Sequence, residues 1–150
     1  MSYEAWKPIP PNENLQQLSD QELRITLTTG VKKSVWNISA IQAGLSNVPP
    51  LKVSYSTSAQ QSMTNLLNWN DSDMRKFLSL LTPGHYDGSS WCYAPKGNTP
   101  HAADIYRMGF SRTQGVENQR LLPWAYVKFA VVGPNLDRIF IFSAHPEGQF

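Results

Sequence analysis

The chain has one cysteine, Cys92. No internal disulfide can therefore brace the fold, which fits a reducing compartment. An excess of one charge is also lacking, since thirteen Lys and Arg face eleven Asp and Glu for a formal charge of +2. Net charge therefore gives no ground for reading a nucleic-acid partner, although it leaves room for a local basic cleft. No apolar run nears the roughly 20 residues that cross a bilayer, and no charged-then-apolar leader opens the sequence. The expectation is a soluble cytoplasmic protein without membrane contact, or one delivered into the cytoplasm of a target cell. The three histidines, His85, His101 and His145, are widely spaced, with no Cys-x-x-Cys or His-x-x-x-His pattern. No metal site is expected from them. No phosphate-cradling loop surrounds Gly115, no paired carboxylates suggest a glycosidase, and no internal repeat is evident. No cofactor is implied.

At 150 residues and 41% hydrophobic, the chain can bury the core of one domain and leave room for an extension. Residues 1–17 hold three prolines and few aliphatics and read as an extended arm or linker. Residues 18–150 read as a single domain. Ser19-Asp-Gln-Glu22 matches a helix capping box, yet Leu23, Ile25 and Leu27 alternate like a short strand, and both readings stand. Val31 to Leu45 reads as a helix ended by Pro49-Pro50, and Leu51 to Tyr55 as a short strand. Two clearer helices follow, over Ser58 to Asn68 and from Asn70 or Asp71 to Leu81, with Pro83-Gly84 as the stop. Residues 84–100 (GHYDGSSWCYAPKGNTP) read as a long surface loop, Ala103 to Ser111 as a strand, and Thr113 to Arg120 as polar connection.

The strongest local signal is C-terminal. Residues 123–132 and 138–143 are β-branched and aromatic runs around Gly-Pro-Asn-Leu-Asp, which predicts an antiparallel hairpin. If Gly133 pairs with Arg138, then Val127, Phe129, Val131, Phe140 and Phe142 share an apolar face. Tyr126, Lys128, Ser143 and His145 share the other, with Tyr126 opposite His145. If Val132 pairs with Arg138 instead, Lys128 lies beside Phe140 and Phe142 and neither face is cleanly apolar. Burial of large side chains at about 1.5–3 kcal/mol each favours the first register. The fold expected is α+β, with N-terminal helices packed on one face of a small antiparallel sheet that ends in this hairpin.

Four segments occur in a suggestive order: Ser72-Asp-Met-Arg-Lys76 on a helix, Asp104-Ile-Tyr-Arg107, Ala125-Tyr-Val-Lys128, and Ile141-Phe-Ser143. Over about residues 56–146 this order resembles the motility quorum-sensing regulator (MqsR) toxins, within the wider RelE-like and barnase-like ribonuclease superfamily. The resemblance implies one domain of that kind over residues 18–150. It also implies a metal-independent endoribonuclease toxin that cuts cellular messenger or transfer RNA, with a neutralising antitoxin or immunity protein as partner. Position by position, the family's helix lysine falls on Lys76, its strand tyrosine on Tyr126, and the arginine after the Asp-aliphatic-Tyr strand on Arg107. Its terminal lysine falls on His145. A glutamine of the family is Ala103 here, with His101 as the nearby polar substitute.

Such cleavage needs a base for the 2′-hydroxyl proton, cations for the phosphorane and an acid for the leaving 5′-oxygen. A histidine titrates in the right range for the proton transfers, and Lys and Arg supply fixed charge. The catalytic candidates are His145, Lys76, Tyr126 and Arg107, and the RNA-binding candidates are Lys128, Arg112 and His101. Trp91, Tyr93 and Trp124 read as core or loop-anchoring aromatics. Two rival classes remain. One is a hydrolase or transferase with Cys92 as nucleophile and His101 or His145 as base. The other is a non-catalytic binding protein of the immunity or antitoxin kind.

Overall fold

Short polar residues begin the helices. The computed structural model describes residues 3–12, 14–25, 33–93 and 99–148. Ser19 accepts from the Glu22 backbone N–H while the Glu22 carboxylate accepts from the Ser19 N–H, starting helix α1 (Asp20–Leu23). This turn passes directly into strand β1 (Arg24–Ile25). Both readings of the segment therefore hold in succession, and Leu27 lies outside the described residues. Asn37, Ser56 and Asn70 cap α2 (Ile38–Ser46), α3 (Thr57–Ser62) and α4 (Asp71–Leu80). Helix α3 continues as a π-helical turn over Met63–Leu67, which Asn68 ends in the left-handed region. Among the described residues no helix is long and apolar enough to cross a membrane.

The helix expected from Val31 begins only at Ile38. The backbone N–H groups of Val35 and Trp36 donate to the two carboxylate oxygens of Asp104, each at 2.9 Å. Residues 33–37 therefore stay out of the helix, with Trp36 bridged to Glu4, until Asn37 accepts from the Ala40 N–H and starts it. Val31 itself lies outside the described residues.

The remaining strands are β2 (Lys52–Tyr55), β3 (Tyr86–Tyr93), β4 (Pro100–Met108), β5 (Phe110–Ser111), β6 (Val116–Glu117), β7 (Ala125–Val132) and β8 (Arg138–Pro146). Six of them form one sheet in the order β1-β3-β4-β7-β8-β2, and β5 and β6 pair separately. The architecture is α+β, as expected. The sheet is mixed rather than wholly antiparallel, because β2 lies parallel to β8. The expected surface loop over 84–100 is instead largely β3. Antiparallel pairing to β4 takes up its backbone hydrogen bonds, and Ser89, Ser90 and Trp91 are buried. Residues 94–98 lie outside the description.

One face of the sheet makes the core. Met63, Met74, Phe77 and Leu78 from the helical side meet Tyr106, Val127, Phe129, Ile139 and Ile141. Tyr106 and Phe129 stack with centroids 5.7 Å apart. Each such side chain contributes about 1.5–3 kcal/mol on burial.

The hairpin register is split. Near the turn, Val132 pairs with Arg138 and Phe129 with Ile141, which is the register rejected on the sequence. A β-bulge then intervenes, and Lys128 pairs with Ser143 and Tyr126 with His145, as expected. The extra residue is Phe142. The inward face is Val127, Phe129 and Val131 with Ile139, Ile141 and Ala144. Phe140 and Phe142 turn to the opposite face, contrary to expectation, because the turn register presents the two isoleucines to the core.

Asp104 sits on the core face of β4 with no exposed surface. Besides the two backbone donors it accepts from Ser89 Oγ at 2.6 Å, and it joins the segment around Trp36 to the sheet. Burial raises its pKa from 3.8 to about 6, against the lowering effect of these hydrogen bonds. A folded-state pKa above the unfolded value means the native state gains the proton first as pH falls. The contribution is full below 3.8 and lost as pH rises through about 6. Asp104→Ala strands two buried N–H donors and is expected to cost about 3 kcal/mol or more in urea unfolding. That cost should be largest in acid and shrink as pH rises through 6.

Candidate active site

The bulge determines which side chains meet on the open face. Without an extra residue, the period-2 alternation from Ile139 and Ile141 would send His145 into the core. With Phe142 inserted, Ala144 is the inward residue and His145 turns to the opposite face, where it remains buried at 9% exposure. The bulge is anchored from outside the hairpin. Ser56 Oγ donates to the Phe142 carbonyl at 3.1 Å and accepts from the Ala59 N–H at 3.0 Å. The Ser56 N–H donates to the Ile141 carbonyl at 3.0 Å.

Arg107, Tyr126 and His145 then form one row across β4, β7 and β8. The Tyr126 and His145 rings stack with centroids 4.7 Å apart and planes 14° from parallel. His145 Nδ1 lies 2.8 Å from the Pro146 carbonyl, which can only accept. In that contact Nδ1 carries the proton and donates it to the carbonyl. Burial, with Asp87, Cys92 and Asp20 adding negative potential, pushes the Tyr126 phenol up to about 12. At neutral pH Tyr126 is a hydrogen-bond donor and not a base.

A cleft of about 870 Å³ opens beside this row, lined by β3, β7 and β8 and walled by α1 and β1. Lys128, Ser143 and Phe142 line it with Tyr126 and His145, while Asp20, Arg24 and Asp87 bring charge from the neighbouring elements. Cations and carboxylates are thus interleaved. Arg107 pairs with Glu147 and, at 3.5 Å, with Asp87, and it lies 5.7 Å from the Trp124 ring centroid. Its charge is committed to these partners, so Arg107 supports Tyr126 more directly than it faces a ligand.

The other candidates divide. His101 is the cross-strand partner of Cys92, 6.2 Å from the Phe142 ring. Burial raises the Cys92 thiol and lowers the His101 imidazole. Both groups are held neutral, the reverse of an activated thiolate–imidazolium pair. Lys76 and Arg112 do not join the cluster. Lys76 lies along Gly115 in the β5–β6 turn, and Arg112 Nε bonds Asp73 on α4 at 3.1 Å. Helix α4 packs on the core face, so the sheet separates these two cations from His145. Tyr93 is exposed, Trp91 is buried, and Trp124 anchors its loop through Nε1 to the Gln119 carbonyl. Asp20, Arg24 and Asp87 were missed on the sequence. Only the capping box at Ser19 hinted that the first two occupy a fixed element.

Among the described residues, no group of three or more His, Cys, Asp and Glu could hold a metal ion. No protein-family model, curated protein or solved structure matches the chain.

Ser56→Ala removes a helix cap and the donor to the bulge carbonyl together. We expect a loss of roughly 1–3 kcal/mol in chemical denaturation. Changed amide shifts at Phe142 to His145 would mark the relaxed bulge, whereas unchanged shifts would show that Ser56 does not hold it.

Proposed function

We propose that the chain is a metal-independent endoribonuclease that cuts cellular RNA through attack of the 2′-hydroxyl on the adjacent phosphate. The observation that carries this reading is the stacked Tyr126–His145 pair facing a cleft that Lys128 also lines. His145 Nε2 takes the 2′-hydroxyl proton as O2′ bonds phosphorus. Lys128 offsets the charge that gathers on the phosphorane, and Tyr126 donates to the departing 5′-oxygen. The Tyr126 proton is replaced from the imidazolium. The products are a 2′,3′-cyclic phosphate and a 5′-hydroxyl. Lys76 and Arg112 have no part in this chemistry, since they sit across the sheet. An enzyme of this kind is toxic to the cell that makes it, and a neutralising protein that blocks the cleft is part of the proposal.

One observation favours a second reading, a non-catalytic binding protein. Asp20 and Asp87 balance Arg24 and Lys128 in the cleft, and a neutral mixed surface suits a protein ligand as well as a polyanion. Incubation of total RNA with the purified protein in EDTA separates the two. The wild type should generate new 5′-hydroxyl ends, and His145→Ala should slow this by about a hundredfold or more. Lys76→Ala should cut at the wild-type rate. Undiminished cleavage by His145→Ala would remove the assignment, and no cleavage by the wild type would leave the binding reading.

A further inference from the structure

Phe142 is half-buried and packs at the margin of the core. Ile139 and Ile141 fill the inward positions of β8, and the bulge turns Phe142 into the cleft beside Lys128, Ser143 and His145. Bulges beside active sites commonly re-aim a side chain. Its ring has two aromatic neighbours. Phe140 lies T-shaped at 4.9 Å and His101 tilts against it at 6.2 Å. Two flanking rings that fix an aromatic plane, next to a cation and polar side chains, make a platform for a flat partner with a charged backbone.

We propose that Phe142 stacks on an unpaired nucleobase, and that single-stranded RNA is therefore the substrate class. This rests on the ribonuclease reading for the chemistry, but the platform itself is a binding site. Stacking argues for an unpaired strand, because in a duplex both faces of each base are already covered by neighbouring bases. Lys128, paired across from Ser143 next to the bulge, is placed to meet the backbone of such a strand.

The test uses a fluorescent 2′-O-methyl oligonucleotide of about 12 nucleotides, which cannot be cut because the attacking hydroxyl is blocked. Anisotropy is measured with the single strand and with its duplex, for the wild type, Phe142→Ala, Phe142→Leu and Phe142→Trp. The leucine variant keeps an apolar side chain but has no π-face, and the tryptophan variant keeps the π-face. The expected result is preference for the single strand by about tenfold or more. Leu and Ala should each lose about tenfold, and Trp should bind as the wild type does. Wild-type affinity in Phe142→Leu, equal binding of the duplex, or no binding by the wild type would each overturn the platform. Phe142-dependent binding together with intact total RNA in the cleavage assay would sink the ribonuclease reading alone and leave a single-strand-binding site.

Discussion

The carbonyl of Phe142 and the hydroxyl of Ser56 hold the arrangement on which the open face depends. A strand alternates its side chains with period two, and one additional residue reverses every assignment beyond it. In β8 that reversal divides the strand into two parts with different tasks. The half next to the turn presents Ile139 and Ile141 to the helices, and the half beyond it presents His145 to the cleft. Ser56 begins α3 and satisfies the bulge in one place. The same side chain thus ties a helix start to the orientation of an imidazole.

The hairpin and its central pairing were legible in the sequence because β-branched and aromatic runs flank an obvious turn. The bulge was not. Phe140 and Phe142 compete with Ile139 and Ile141 for the same inward role. By hydrophobicity alone the larger side chains win, yet the turn over residues 133–137 sets a register in which the isoleucines point inward. Each of the two registers weighed on the sequence therefore describes part of the hairpin. The stretch from Val31 reads as helical by spacing, but at Val35 and Trp36 a carboxylate about seventy residues away claims the N–H groups a helix would use. No local pattern can announce such a partner. Strand β3 was hidden for a related reason. Its Gly and Ser content suits a loop, and only lateral pairing with β1 and β4 makes it a strand.

The candidate site was legible to a similar degree. Tyr126, Lys128, Arg107 and His145 come together because strand neighbours with known register are predictable neighbours in space. Lys76 and Arg112 were grouped with them by order along the chain, which carries no information about which side of a sheet a helix covers. The carboxylates that temper the cleft, Asp20 and Asp87, come from a four-residue helix and from a strand that composition disguised. Burial first, and these carboxylates after it, raise the Tyr126 phenol above its ordinary value.

The parallel placement of β2 sets an order of assembly. Strands β3, β4, β7 and β8 form a meander whose neighbours are joined by short or moderate connections. Strand β2 must instead wait for a partner 86 residues away, since the Ser56–Phe142 contact spans that separation. Distant closure carries an entropic penalty before any contact rewards it, and chains rich in such pairings fold slowly. The outer edge of the sheet therefore closes late, and Ser56 arrives with it. The bulge carbonyl gains its Ser56 partner only with that last docking event.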